Sequence, residues 1–493
     1  MRSKRLMKGR EMIVKTYCGH IEGIVENDLI VFKGVPYGEA PIGELRFKAP
    51  IAKRQWKGVL KCKGFSKKSM QYCGDDKKTL NNQSEDCLYL NIWTKNNNVK
   101  NKAVVVYIHG GGFIAGSGFD EILLGDTFGV DENIVYVSIN YRLGALGFLN
   151  IRNILGEDYA LSGNNGILDI ILSLQWVNEN IEFFGGDKNN ITVMGESAGA
   201  KCIGGLLVTK KAKGLFKKAI LQSGAIQALR SVETSVKITE RLLEELKIKS
   251  DRSEDLLKIS ADEIIAAQQR ICKYSSIHIF GPVIDGYLIS DKYKVLGKKE
   301  GLEAVLMGVN KEEILIFLNG INNPLRDKNY EALQEIFGGN INEMWNVYDG
   351  YLQTMKPKKA YEEALTHCYY RIHSLKLGEE LSNNEVDVWF YKFNWEGNFG
   401  ACHAQDLSFV FNKSIPNDEL HSIPREAQDL ADTIHNTWKC FIKNSNPNNK
   451  KLPNWEKYFE KSRNFMNLGY ECYMDNKWTI EELQYFPENV LVL

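Results

Sequence analysis

The sequence predicts an α/β fold in which a large, mostly parallel sheet is flanked by helices. Short apolar runs that end in glycine or polar residues recur along the chain, at 103–108, 191–194, 304–308 and 386–393. The run 238–259 places Glu, Lys and Leu at helical spacing, which predicts amphipathic helices. Buried strands separated by helices are typical of a parallel sheet, and ligand sites of such sheets form at the carboxyl ends of the strands.

The clearest local motif is the pentapeptide Gly-Glu-Ser-Ala-Gly at 195–199, which directly follows the apolar run 191–194. A serine in a sharp turn from strand to helix needs small neighbours, because a larger side chain would collide with the strand or the helix backbone. The turn lifts the hydroxyl of Ser197 clear of the sheet. A helix that begins at Ala198 also presents unpaired N–H groups to negative charge nearby. Ser197 is therefore the candidate nucleophile.

Upstream, the predicted strand at 103–108 runs towards three consecutive glycines at 110–112. Glycine loses more backbone entropy on ordering than any other residue, so three together beside an apolar strand need a reason. Bare backbone N–H groups can approach a tetrahedral intermediate without side chains in the way, which indicates an oxyanion hole. We expect Gly111 and Gly112 to donate two of its hydrogen bonds and Ala198 to donate a third.

A general base and its orienting acid should follow the nucleophile in the order serine, acid, histidine. Among the downstream histidines, His403 lies on a loop shortly beyond the strand-like run 386–393. The short apolar run at 304–308 is followed by two adjacent carboxylates, Glu312 and Glu313. Spacing alone allows either carboxylate to serve as the acid.

Two motifs carry a resemblance to a known family, namely Ser-Glu-Asp-Cys-Leu-Tyr-Leu-Asn-Ile-Trp at 84–93 and the pentapeptide at 195–199. They resemble the two signatures of the type-B carboxylesterases, the cholinesterase-like branch of the α/β-hydrolase fold. The resemblance implies one catalytic α/β-hydrolase domain over 1–493, with a helical insertion near 226–380 that roofs the active site. Similar blocks continue at 32–38, 45–47, 139–149, 163–166, 184–187, 221–225, 282–286, 308–313 and 409–411.

The resemblance also selects the acid. In this family the acid occupies the second acidic position of the block at 308–313, which implies that Glu313 completes a triad with Ser197 and His403. The family usually has glycine after its acid, whereas this chain has Ile314. This difference bears on the local backbone geometry, and the resemblance still implies that Glu313 is the acid.

Two supporting interactions follow from the same resemblance. Ser223 matches a serine that is expected to hydrogen-bond the acid. Glu85 and Arg142 match a pair that is expected to form a buried ion pair. Both are structural roles.

The resemblance implies a serine carboxylesterase that acts through an acyl-enzyme on short-to-medium acyl or aryl esters. Cholinesterases hold a quaternary ammonium group against a tryptophan in the loop before the signature, but segment 74–86 contains no aromatic residue, so acetylcholine is not expected to be a substrate. Substrate contacts are expected from Glu196, Ser276 and His278. Two alternatives stay open, a lipase acting on longer-chain lipid esters and a non-catalytic binding protein of the same fold.

Composition bounds the remaining classes. The chain has 493 residues, 44% of them hydrophobic, with 62 basic and 62 acidic residues, which is typical of a soluble globular protein and gives no sign of a nucleic-acid partner. No apolar run reaches the roughly 20 residues that span a membrane. The segment 1–8 is charged without an apolar stretch behind it, so we expect a cytoplasmic protein with no membrane anchor. No cofactor is expected, and no His or Cys cluster has the spacing of metal ligands.

The chain has ten cysteines. Secreted members of this family usually form a disulfide bond with the cysteine at the position of Cys87, but the usual partner position is occupied here by Ser69. A bridge between Cys73 and Cys87 remains an alternative, although a cytoplasmic chain would keep both reduced. Free thiols are the favoured expectation.

Overall fold

The computed structural model describes most of the chain, namely residues 10–72, 74, 81–272, 279–290, 294–319 and 325–478. Within these residues the dominant feature is one sheet of thirteen strands, in the order β1-β2-β3-β7-β9-β8-β10-β11-β12-β13-β14-β15 with β4 beside β2. A separate two-stranded sheet pairs β5 with β6. The strands are β1 Arg10–Lys15, β2 His20–Glu26, β3 Leu29–Pro36, β4 Val59–Lys61, β5 Lys68–Ser69, β6 Gln83–Ser84, β7 Tyr89–Lys95, β8 Lys102–Ile108, β9 Ile134–Ile139, β10 Gly186–Glu196, β11 Lys218–Gln222, β12 Ala304–Asn310, β13 Asp387–Phe393, β14 Phe465–Leu468 and β15 Tyr473–Asp475.

The middle of the large sheet is parallel. Strand β8 pairs in parallel with both β9 and β10, and parallel pairing continues through β11, β12 and β13 to β14. The strands β1, β2, β3, β7 and β9 pair in antiparallel fashion at one side of the sheet, and β15 does so at the other. The predicted α/β fold with a mostly parallel sheet is confirmed.

Burial on both faces explains why the central strands are continuous apolar runs. All seven residues of β8 are buried. Val104, Val106 and Ile108 pack into the hydrophobic cluster on one face, and Val105 and Tyr107 pack into the cluster on the other. Side chains of a strand alternate between faces, so a strand covered on both sides has no polar face.

Helices pack around this sheet. The helix Asn165–Asn180 is only weakly amphipathic, because most of its residues are buried. A single turn of π-helix, His367–Arg371, connects two of the others. The α-helices are α1 Asp126–Gly129, α2 Gly144–Phe148, α3 Arg152–Leu155, α4 Asn165–Asn180, α5 Ala198–Leu207, α6 Val232–Glu245, α7 Ala261–Ile271, α8 Leu315–Leu318, α9 Tyr330–Phe337, α10 Ile341–Leu352, α11 Pro357–Thr366, α12 Ile372–Asn383, α13 Asp406–Phe411 and α14 Gln428–Asn444.

The helices expected near 226–380 come from two separate stretches. Helices α6 and α7 precede β12, and α8 to α12 follow it. Strand β12 lies between β11 and β13 in the central sheet and is buried along its whole length, so it belongs to the sheet and not to the helical layer. The run 238–259 is also not helical throughout, since α6 ends at Glu245 and a 3-10 segment follows at Ser250–Leu257.

No helix in the described part of the chain has both the length and the apolar character needed to cross a membrane. Cys87 is a free, buried thiol, and burial raises its pKa to about 12. Cys73, the other half of the alternative bridge, lies outside the described residues.

Candidate active site

Ser197 lies at the turn between strand β10 and helix α5. Its backbone adopts φ 55° and ψ −121°, a conformation that costs a residue with a side chain about 1–3 kcal/mol. The Ser197 N–H group donates a 2.9 Å hydrogen bond to the carbonyl oxygen of Gln222 on β11, which helps to hold the turn. A Cβ atom on Gly195 would lie 2.7 Å from the carbonyl carbon of Gly199, and one on Gly199 would overlap the carbonyl oxygen of Ile108. The expectation that this turn needs small neighbours is confirmed.

Three side chains from distant parts of the chain meet at this turn. The Nε2 atom of His403 lies 2.7 Å from Ser197 Oγ, and its Nδ1 atom lies 2.7 Å from Glu313 Oε2. Ser197 and His403 are each 6% exposed and Glu313 is fully buried. A carboxylate only accepts, so we assign the imidazole proton to Nδ1, which leaves Nε2 to accept from the serine hydroxyl. This is the geometry of an activated nucleophile.

The structure separates the two carboxylates that follow β12. Glu312 turns away to Lys359, with 2.6 Å between carboxylate and ammonium. Glu313 faces the imidazole and accepts a 2.8 Å hydrogen bond from the backbone N–H of Asn310. Ile314, which replaces the family glycine, has φ −75° and ψ −18°. That is ordinary right-handed helical backbone, so no glycine is required there.

The glycine-rich segment after β8 passes close to the nucleophile. A Cβ atom on Gly110 would lie 2.9 Å from a carboxylate oxygen of Glu196 and 3.3 Å from Ser197 Cβ. Gly111 has φ 102° and Gly112 has φ 64°, values that glycine adopts without steric cost. Ala198 is the first residue of α5, where backbone N–H groups have no partner within the helix.

Comparison with known families gives one match over nearly the whole chain. The model of the carboxylesterase family matches residues 10–486, a range that includes every residue the structure describes. The chain belongs to the carboxylesterase family.

Individual relatives agree with this assignment. The carboxylesterase is 31% identical to the para-nitrobenzyl esterase of Bacillus subtilis, over 96% of its own length and 98% of that protein. It is 30% identical to the cholinesterase of Mus musculus, over 89% of its own length and 79% of that protein. Among solved structures, the Geobacillus stearothermophilus carboxylesterase Est55 superimposes with a TM-score of 0.85 at 32% identity, over 96% and 99% of the two chains. The protein is thus a carboxylic ester hydrolase with the α/β-hydrolase fold.

Two carboxylates surround the imidazole of this carboxylesterase. Besides Glu313, a carboxylate oxygen of Glu196 lies 3.2 Å from His403 Nε2. Burial opposes the charged form of His403, but the nearby Glu196 and Glu313 outweigh it and raise the pKa of His403 above its ordinary 6.5. Burial also raises the pKa of Glu196, to about 7.

A buried lysine lies near this group of residues and was missed by sequence reasoning. Lys201 is 1% exposed on helix α5, with its Nζ atom 5.0 Å and 5.1 Å from the ring centroids of Tyr369 and Tyr370. The Tyr370 ring lies 4.9 Å from the His403 ring. Burial lowers the pKa of Lys201 to about 7. The sequence feature that could have revealed it is a lysine four residues after Ser197, on a helix whose other residues are small or apolar.

The expected ion pair between Glu85 and Arg142 is wrong. Arg142 instead donates to Asp169 on helix α4, at 2.7 Å and 2.8 Å, and both side chains are buried. Glu85 pairs with Arg46, whose guanidinium also reaches two backbone carbonyl groups. Both charges are therefore paired, but with Asp169 and Arg46 instead of with each other.

The expected support of the acid by Ser223 is also wrong, since its buried hydroxyl makes no hydrogen bond. A different network lies behind the histidine loop. Asp406 accepts hydrogen bonds from Gln222 at 2.8 Å and from Tyr391 at 3.1 Å, while Asn310 donates at 2.7 Å to the carbonyl oxygen of Cys402. This network holds the residue before His403 against the end of β12.

A cavity of about 310 Å³ is lined by Glu196 and Ala404, the residues that directly precede Ser197 and follow His403 in the sequence. Gly110 and Gly111 are also part of its lining. Ser276 and His278, the expected substrate contacts, lie outside the described residues. Within the described ranges, no group of three or more His, Cys, Asp or Glu side chains is arranged to hold a metal ion.

Proposed function

We propose that Ser197, His403 and Glu313 are the catalytic triad of this carboxylesterase. The observation that carries the proposal is the continuous pair of 2.7 Å hydrogen bonds from serine to imidazole to carboxylate. The imidazole takes the serine proton as Oγ attacks the ester carbonyl carbon. Glu313 fixes the tautomer and stabilises the imidazolium that forms.

The oxyanion that forms on the carbonyl oxygen is held by the backbone N–H groups of Gly111, Gly112 and Ala198. The closeness of Gly110 to Ser197 and the start of helix α5 at Ala198 support this assignment. Fixed donors of this kind are not required to reorganise during the reaction, and losing one typically lowers kcat about 10²–10³-fold.

His403 then protonates the departing alcohol, which leaves an acyl group on Ser197. Water attacks this acyl-enzyme with His403 again as base, and the acid is released. The substrates proposed are short-to-medium acyl esters and aryl esters. The similarity to the Bacillus subtilis para-nitrobenzyl esterase supports the aryl class.

We propose further that the chain acts as one catalytic domain in the cytoplasm. The single large sheet that supplies Ser197, Glu313 and His403 favours one domain. Nine cysteines of the described residues are free thiols, which is typical of a reducing compartment.

The test is a series of p-nitrophenyl esters from acetate to palmitate, measured as kcat/KM with the purified protein. We expect a maximum between acetate and octanoate, and no step in rate when the longer esters form aggregates. A maximum at palmitate with such a step would contradict the short-chain assignment and indicate a lipase. No turnover of any member would contradict ester hydrolysis of this class.

A further inference from the structure

The cavity lined by Glu196 and Ala404 contains three polar side chains that each have one atom without a hydrogen-bond partner. Among the residues that the structure describes, three buried side-chain atoms without a hydrogen-bond partner are Tyr107 Oη, His109 Nε2 and His421 Nε2. All three residues line this cavity. Tyr107 and His109 are at least 99% buried. Buried polar atoms are normally hydrogen-bonded, so three unpaired atoms around one cavity indicate a polar occupant.

The neighbours of the two histidines determine which ring nitrogen of each is available to an occupant. His109 Nδ1 lies 2.9 Å from the carbonyl oxygen of Gly110, which can only accept, so Nδ1 carries the proton. Burial lowers the pKa of His109 to about 4, so the ring is neutral and its Nε2 atom accepts. His421 Nδ1 donates to Asp418 Oδ2 at 2.7 Å, which leaves its Nε2 atom as the ring nitrogen available to an occupant of the cavity.

The third atom is a donor. Burial raises the pKa of Tyr107 well above its ordinary value of 10, so its hydroxyl keeps its proton. The cavity therefore combines a donor from Tyr107 with an acceptor from His109, and the unpaired Nε2 atom of His421 adds a further polar group. A hydroxyl group can satisfy both kinds, since it donates one hydrogen bond and accepts others.

Two residues of the cavity wall adjoin the imidazole that protonates the leaving oxygen in the proposed function. His403 Nε2 must protonate the leaving oxygen, and Glu196, whose carboxylate is 3.2 Å from that atom, lines the cavity together with Ala404. The glycines 110 and 111 form part of the same wall. The volume of about 310 Å³ is at the lower end of small-molecule sites.

We propose that this cavity is the leaving-alcohol subsite and that it takes alcohols with additional hydroxyl groups, such as a glycerol or sugar unit. The proposal rests on the proposed function and specifies the alcohol half of the substrate. A hydroxylated alcohol pairs with Tyr107, His109 and His421, whereas an alkyl alcohol leaves their polar atoms without partners. A site built to bond a substrate hydroxyl discriminates against the analogue that lacks it.

The test compares two acetates of similar size, glycerol 1-monoacetate and n-butyl acetate, by titration of the acetic acid released. We expect the wild type to show a kcat/KM at least about tenfold higher for the glycerol ester. We expect Tyr107→Phe and His421→Leu each to reduce this ratio at least about threefold, because each removes one partner. The ratio cancels any loss of catalytic power that affects both esters equally.

The matched control is His20→Leu, at an exposed histidine on β2, which should leave the ratio at its wild-type value. Equal rates for the two acetates in the wild type would overturn the subsite, as would an unchanged ratio in both cavity variants. Hydrolysis of p-nitrophenyl acetate separates the two proposals. If it proceeds without any preference for the glycerol ester, only the subsite fails, and if no ester is hydrolysed, the proposed function fails with it.

Discussion

At the scale of single residues, the proposed mechanism makes the reactivity of Ser197 depend on the protonation of His403. The two carboxylates near the ring raise the pKa of His403 despite its burial. The base works only as neutral imidazole, so activity is present above this pKa and is lost as the pH falls through it. Lys201 acts in the opposite direction, because its positive charge lowers the pKa of His403.

Replacing Glu196 by glutamine should shift the acid limb of the pH profile. The wild-type profile of kcat/KM should have its inflection above pH 6.5, the ordinary imidazole value. Glu196→Gln removes one of the charges that raise this pKa, so the inflection should move to lower pH, by roughly one unit. The profile with p-nitrophenyl acetate measures the shift.

Glu182→Gln serves as the control, since Glu182 forms an exposed pair with Lys188 and should leave the inflection in place. An inflection in Glu196→Gln that stays at the wild-type value or moves upward would contradict the assigned electrostatics.

The site residues show what sequence can and cannot fix at this scale. The spacing after β12 allowed both Glu312 and Glu313, and only the family resemblance chose between them. Their different partners, Lys359 and His403, lie 47 and 90 residues further along the chain. Such pairings depend on how distant elements pack, and so does the burial that shifts the pKa of Lys201.

At the scale of elements, helix α4 is fixed to the neighbouring loop by a buried charge pair. Arg142 and Asp169 are 4% and 0% exposed at their side chains. Arg142→Met should lower the free energy of unfolding by about 3–5 kcal/mol, because it leaves the Asp169 carboxylate buried without its countercharge. Urea unfolding followed by tryptophan fluorescence measures the change.

The exposed pair of Arg152 and Glu157 provides the matched control. Arg152→Met should change the free energy of unfolding by less than about 1 kcal/mol, because exposed pairs contribute little. Equal effects of the two substitutions would contradict the structural role given to Arg142.

Elements with a strong local signal were predicted well. The runs 103–108, 191–194, 304–308 and 386–393 all lie on strands, with ends shifted by no more than a few residues. The helical layer was predicted less precisely, because the expected stretch 226–380 includes the strand-like run 304–308, which forms β12 of the central sheet, and because the helical pattern of 238–259 does not show that α6 ends at Glu245. The pairing of Glu85 with Arg142, which the family resemblance implied, was wrong, because the fold brings Asp169 to Arg142 and Arg46 to Glu85.

At the scale of the whole molecule, the parallel order of the sheet brings the site together. Strands β8, β10, β12 and β13 lie within one continuous parallel region. The glycine segment, Ser197, Glu313 and His403 each follow the carboxyl end of one of these strands. Residues separated by as many as 206 positions in sequence are therefore within hydrogen-bond distance. The sequence predicts the strand ends, while the sheet order that makes them neighbours needs the fold.

The central claim is that Ser197 and His403 act as one catalytic unit. The most direct measurement compares kcat/KM for p-nitrophenyl acetate in the wild type, Ser197→Ala and His403→Ala, with the site of organophosphate labelling mapped by peptide mass. We predict losses of several orders of magnitude that are similar in the two variants, and a label on Ser197 alone. A residual rate within roughly tenfold of the wild type in either variant, or a label on another residue, would contradict this account.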